Sequence, residues 1–242
     1  MLQTVPVLIT RRALVLGAMT AALAACSSKS VEGGSAGGND ASGNSNLGTS
    51  TEPTGPDTSS TNHLPASIAM VGDSITALSK SALETVLTQM GFATVTVNAE
   101  PSRRIELGRK NPMPGLDVVR FIQASSAPAM WVIALGTNDA GLYTADDDYQ
   151  KIIDHVLGAV PEKVPLVWVS TYRDDQLKGC EQFNLLIRKS LKARGHATVA
   201  EWYQQVAKSK GSILTHDGVH PNAEGILVFA DTVRAAIETE LS

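Results

Sequence analysis

Ile68-Ala69-Met70-Val71-Gly72-Asp73-Ser74 sets an apolar run directly against a glycine, an acid and a serine. The run lacks apolar–polar alternation, as in a parallel strand covered on both faces. Downstream, Leu83, Val86, Leu87 and Met90 recur at helical spacing, so the segment reads as strand, tight turn and helix. Unalternating apolar runs return at residues 95–97, 131–135 and 166–169. Between and after them come helical stripes: Tyr149, Ile152, Ile153, Val156, Leu157 and Val160; then Phe183, Leu186, Ile187 and Leu191; then Ile226, Phe229, Ala230, Val233 and Ile237. Alternating strands and helices predict an α/β fold, a three-layer α/β/α sandwich around a parallel sheet, flavodoxin-like. Ligands of such sheets bind beyond the carboxyl ends of the strands. Ser74 follows the first run and Asn138 the third.

Three segments carry chemistry: Gly72-Asp73-Ser74, Gly136-Thr137-Asn138-Asp139 and Asp217-Gly218-Val219-His220-Pro221. A serine hydroxyl is a poor nucleophile at neutral pH and needs a histidine to take its proton and an acid to orient that histidine. Ser74, His220 and Asp217 supply those types, and the spacing of Asp217 and His220 suits a tight loop presenting both side chains. Asn138, with the Ser74 backbone N–H, is a donor for the oxyanion of a tetrahedral intermediate. Each segment also has an ordinary reading as a turn, with Ser74 as a helix cap. The conjunction of all three points to acyl transfer. His216 neighbours Asp217, but adjacent side chains in an extended loop diverge, so His220 is the expected base. Activity should then fall as acid protonates the imidazole.

From Ser67 to about Ile237 the chain resembles the SGNH or GDSL hydrolases, whose first, third and fifth sequence blocks correspond to these segments. The resemblance implies an SGNH hydrolase fold, with Ser74 as nucleophile, Asn138 as oxyanion donor, and Asp217 and His220 as acid and base. The second block of that family normally contributes a glycine N–H to the oxyanion hole. Here the stretch reads Asn98-Ala99-Glu100-Pro101-Ser102-Arg103-Arg104, without glycine. It looks more like the branch that acts on or acylates cell-wall carbohydrates, in which serine then arginine can stand there. That resemblance implies Ser102 as the remaining backbone donor, with Gly108 the competing candidate. Arg103, Arg104, Tyr172 and Arg173, after the second-block loop and the fourth run, have two readings: contact with substrate oxygens or an acidic leaving group, or a solvated surface.

The N-terminus sets an expected location. Arg11 and Arg12 precede an apolar run over residues 13–25, and Leu23-Ala24-Ala25-Cys26 follows the cleavage pattern of a bacterial lipoprotein signal. As helix the run spans about 20 Å, short of the roughly 30 Å hydrocarbon core, so a transmembrane anchor is the weaker reading. Residues 1–25 are therefore expected to be a signal peptide. Residues 26–65 form a lipidated Cys26 with a flexible tether rich in Gly, Ser and Thr, and residues 66–242 form one catalytic domain. The tether has a reach of roughly 35 Å. The protein is expected to be exported and lipid-anchored to the bacterial cell membrane, on its outer side.

A net charge of −4, more negative without the signal arginines, offers no footprint for nucleic acid. No Cys-x-x-Cys or paired-histidine helical motif suggests a metal, and no cofactor is expected. Asp146-Asp147-Asp148 reads as macrodipole compensation at a helix start, and Cys180 as a small buried hydrophobe. No aromatic stripe marks a site for a long acyl chain. The expected partner is an acylated, most simply O-acetylated, envelope carbohydrate or another small ester, bound by a monomer. An O-acyltransferase using the same triad, a non-catalytic wall-binding lipoprotein and a lipase are the alternatives.

Overall fold

Apolar side chains of β1 (Ser67–Gly72) alternate between the two faces of a central sheet and build a separate core on each. The computed structural model describes residues 64–107 and 112–242. After β1 come α1 (Ser74–Gln89), β2 (Thr94–Ala99), α2 (Gly115–Ser126), β3 (Met130–Ala134), α3 (Asp146–Ala159) and β4 (Leu166–Val169). The chain ends with α4 (Leu177–Arg194), β5 (Ala197–Ala200), α5 (Trp202–Lys208) and α6 (Ala223–Leu241). All strand pairs are parallel, in the order β2-β1-β3-β4-β5. On one face Ile68, Met70, Val132 and Val167 pack with Leu83, Phe229 and Val233 of α1 and α6. On the other, Val71, Trp131, Ile133 and Trp168 meet Val119, Ile153 and Phe183 of α2, α3 and α4. The flavodoxin-like α/β/α sandwich is therefore the observed fold.

The chain leaves β1 toward β2 on one side and later places β3 on the other. That reversal opens a crevice beyond the carboxyl ends of β1 and β3, where ligands of such sheets bind.

Two expectations about elements need correction. Residues 95–97 were expected to be covered on both faces. Instead Thr94, Thr96 and Asn98 are exposed while Val97 is buried, because β2 is an edge strand with α1 on one face. The apolar runs also left α2, β5 and α5 without a signal. β5, Ala-Thr-Val-Ala, is an edge strand too short and too mixed to stand out, and α5 has only two buried side chains, Trp202 and Val206. Asp146, Asp147 and Asp148 do occupy the first turn of α3, and Cys180 is buried.

The sequence expectations on the signal peptide, Cys26 and the tether to residue 63 lie outside the described residues, as does Gly108.

Candidate active site

Gly72 ends β1 where a Cβ would overlap the Thr76 side chain, so the turn into α1 closes only around glycine. Asp73, not Ser74, caps that helix: its Oδ1 accepts from the Ile75 N–H at 3.0 Å. The Ser74 hydroxyl is left free, and its Oγ lies 2.9 Å from His220 Nε2. The ordinary reading of Gly-Asp-Ser, with serine as cap, is thereby excluded.

His220 and Asp217 come from a loop closed by a bridge between Leu214 and Pro221. Asn222 fastens it from below, donating from its backbone N–H to Ile213 O at 3.0 Å and from its side chain to Ser212 O and Leu214 O. Gly218 turns the loop at φ 69°, in the left-handed region, so Asp217 and His220 meet on one side. Asp217 Oδ2 lies 2.7 Å from His220 Nδ1. Its Oδ1 accepts from the Thr215 hydroxyl at 2.8 Å, the Val219 N–H at 2.9 Å and the His220 N–H at 3.0 Å. Burial opposes the charge, but these hydrogen bonds outweigh it and hold the carboxyl well below the usual carboxylate range. An ionised Asp217 fixes the proton on Nδ1 and leaves the Nε2 lone pair facing Ser74. Thr215 had gone unnoticed in the sequence; a hydroxyl residue two positions before the acid was the available signal.

The other two residues expected as donors sit on two neighbouring loops. Ser102 has φ 61°, a left-handed conformation that glycine enters freely, and it is exposed. Asn138, in the turn after β3, donates from Nδ2 to the carbonyl of Arg103 at 3.1 Å.

Arg103 does not present its charge to a substrate. It is 2% exposed, and its guanidinium donates to Gly72 O, Asn98 O, Asn98 Oδ1 and Met113 O at 2.9–3.2 Å. The substrate-contact reading is corrected for this residue because all of those donors point into the protein. Arg173 is committed to Asp175 in a two-pronged pair at 2.8 and 2.9 Å. Tyr172 is half-buried against Tyr203, with its hydroxyl 3.4 Å from Asp174 Oδ1. Their segment touches the histidine loop through the Asp174 N–H, which donates to Gly218 O at 3.0 Å.

Two buried carboxyls flank the site unannounced by the sequence. Burial pushes Asp73 up to about 6 and Asp139 up to about 7, against backbone hydrogen bonds from Ile75 and Ile105 respectively. Asp73 Oδ2, Thr76 Oγ1 and Trp202 Nε1 have no partner among the described residues. All three residues line a cavity of about 10 Å³, the size for one water. Among the described residues no three His, Cys, Asp or Glu side chains are grouped to hold a metal ion.

The family model for the GDSL-like lipase/acylhydrolase family matches residues 70–226, a span that contains Ser74, Asn138, Asp217 and His220. This chain belongs to that family. It is an SGNH/GDSL-type serine ester hydrolase, with the esterase or acyltransferase chemistry of the family. None of the curated proteins matches the chain. Among solved structures, the GDSL-family fold seen here is shared with the C-terminal catalytic domain of Streptococcus pneumoniae peptidoglycan O-acetyltransferase A, solved with a methylsulfonyl adduct (22% identity, 74% of this chain and 96% of that one, TM-score 0.58). It is shared also with a lipase/acylhydrolase from Enterococcus faecalis (17% identity, 72% and 96%, TM-score 0.61). A family 3 carbohydrate esterase from Clostridium thermocellum is a third (16% identity, 72% and 96%, TM-score 0.54).

Proposed function

We propose that this protein is an envelope esterase that removes O-acyl, most simply O-acetyl, groups from cell-envelope carbohydrate through an acyl-enzyme on Ser74. The observation that carries the reading is the unbroken relay from Ser74 Oγ to His220 Nε2, and from His220 Nδ1 to Asp217 Oδ2. His220 takes the Ser74 proton as Oγ attacks the ester carbonyl. Asn138 and the backbone N–H groups of Ser74 and Ser102 stabilise the oxyanion. Collapse of the tetrahedral intermediate breaks the bond to the sugar oxygen, which takes the proton from His220 and leaves as a hydroxyl. Water, activated by the same histidine, then releases the acid; a second sugar hydroxyl in place of water makes the enzyme an acyltransferase.

The openness of the site supports a large polar substrate. His220 and Asp217 side chains are 34% and 42% exposed, so a polymer reaches the serine without a lid opening. The fold common to a peptidoglycan O-acetyltransferase and a carbohydrate esterase supports the same class. Attachment through a lipidated Cys26 would hold the domain within tether reach of the wall.

A lipase-like reading has one specific observation in its favour. Leu78, Ala82, Val86, Ile226, Leu227 and Ala230 line an apolar groove of about 710 Å³ between α1 and α6. Leu78 stands one turn beyond Ser74 on α1. Turnover of p-nitrophenyl esters from acetate to decanoate by wild type and Ser74→Ala decides among these readings. Activity lost in Ser74→Ala and greatest on acetate supports the proposal, and a rate rising with chain length favours the groove. No wild-type turnover would leave the wall-binding alternative. Cys26→Ser is expected to move the protein out of the membrane fraction, and retention there would sink the lipid-anchor reading.

A further inference from the structure

Each proposed oxyanion donor is followed or preceded in sequence by a buried charged residue: Asp73 before Ser74, Arg103 after Ser102, Asp139 after Asn138. Arg103 is the one whose contacts join all three loops. Nη1 donates to Gly72 O at 3.0 Å, at the end of β1 and two residues before Ser74. It also donates to Asn98 O at 2.9 Å, while Nη2 reaches Asn98 Oδ1 at 2.9 Å, both near the end of β2. Nε donates to Met113 O at 3.2 Å, beside the start of α2. The carbonyl of Arg103 accepts from Asn138 Nδ2 at 3.1 Å.

We propose that Arg103 is the positioning residue of the oxyanion hole: its guanidinium ties the end of the Ser74 turn to β2 and to the start of α2, and its backbone carbonyl, held in place by that anchor, orients the Asn138 amide. The proposal rests on the serine acyl-transfer reading above. Its chemistry is that of a rigid planar fork. A guanidinium has five N–H donors fixed in one plane, which suits several carbonyl acceptors at set angles; a lysine ammonium is a point charge on a flexible stem and cannot reproduce the set. Among the described residues no carboxylate forms an ion pair with Arg103, so backbone dipoles and the Asn98 amide offset the cost of burying its charge. The Asn138 amide carries two N–H groups. Arg103 O takes one, which fixes the orientation of the amide and leaves the other for the developing charge. Ser102, left-handed at φ 61°, lies inside a turn that the Arg103 N–H closes on Glu100 O at 3.4 Å, so the anchored Arg103 bounds the turn that carries the Ser102 N–H. Preorganisation of this kind lowers the barrier because no donor has to turn when the oxyanion forms.

The test uses the full chain purified in detergent: wild type, Arg103→Lys, and Asn98→Ala, the last removing from an exposed position the side-chain amide whose Oδ1 accepts from Arg103 Nη2. Read-outs are kcat and KM on p-nitrophenyl acetate, the pH profile, thermal stability, and the affinity of a trifluoromethyl ketone, which forms a hemiketal oxyanion with the serine. Arg103→Lys is expected to lower kcat by about 10²-fold, the size of a lost oxyanion donor, with KM within about threefold. Affinity for the ketone should weaken by a similar factor, and the pH profile should keep its shape because Asp217 and His220 are untouched. Asn98→Ala is expected to lower kcat by about threefold to tenfold at unchanged thermal stability, which separates positioning from folding should Arg103→Lys fold poorly. Wild-type kcat and ketone affinity in Asn98→Ala, or a loss in Arg103→Lys that appears only in KM, overturns the inference. A wild-type chain that turns over no ester overturns the acyl-transfer reading itself and this inference with it, a result distinct from active wild type beside unaffected variants.

Discussion

The family resemblance implies Ser102 at the position where a glycine commonly stands, and its backbone has the conformation that a glycine there would adopt freely. Its φ of 61° lies in the left-handed region, which costs a non-glycine residue about 1 kcal/mol and a β-branched one more. If the peptide N–H is the working donor, the side chain is dispensable and the conformation is not. Ser102→Gly should keep kcat within about threefold of wild type, whereas Ser102→Val should lower it by at least about tenfold. Steady-state kinetics on one acetyl ester checks both, and equal losses in the two variants would place the donor in the hydroxyl instead. Asp217 offers a parallel lesson. Four hydrogen bonds converge on its two oxygens, and Thr215, which sequence reading passed over, supplies one of them.

At the scale of elements, the site depends on loops fastened to strands that have already ended. Asn184 of α4 does this for β4: its Oδ1 accepts from the Thr171 N–H at 2.8 Å and its Nδ2 donates to Thr171 O at 2.9 Å, as a neighbouring strand would. Both groups are buried, and the segment continues through Tyr172 to Asp174, whose N–H donates to Gly218 in the histidine loop. Asn184→Ala leaves a buried donor and acceptor unmatched, and each such group costs about 1–3 kcal/mol. The variant is expected to lose about 2–4 kcal/mol of stability in urea unfolding. A loss under about 0.5 kcal/mol would mean that water replaces the amide. None of this was legible beforehand, because an asparagine on an amphipathic helix looks like a solvated residue until its facing strand is known. The helices carrying long apolar stripes, α1, α3, α4 and α6, were legible, since periodicity is local.

For the molecule as a whole, the buried carboxyls Asp73 and Asp139 tie stability to pH in the direction opposite to Asp217. Their native values, about 6 and about 7, exceed that of an unfolded aspartate, so between roughly pH 4 and 7 the native state binds more protons than the unfolded chain. Their contribution is complete below the unfolded value and is lost as pH rises through the native one, with a slope of at most about 1.4 kcal/mol per pH unit for each group. Asp217, held below the usual range, contributes stability above the unfolded value that is lost only on acidification. Asp139→Asn keeps an acceptor for the Ile105 N–H while removing the buried charge. Its Tm relative to wild type should therefore rise between pH 5 and pH 8. A difference that does not change with pH would show that Asp139 does not titrate in that range.

What the amino-acid sequence determined by itself was the alternation of strands and helices, and the residue types for acyl transfer at Ser74, Asn138, Asp217 and His220. Apolar periodicity and reactive side chains are properties of short segments, and they survive without knowledge of what lies opposite. The strand order and the meeting of residues 74 and 220 awaited the fold. So did the inward turn of Arg103, whose sequence neighbourhood reads equally well as surface. A guanidinium becomes an internal tie only where the ends of two strands and a third loop bring carbonyl oxygens within about 3 Å of it, and that convergence is set by packing across the sheet rather than by any one stretch of chain.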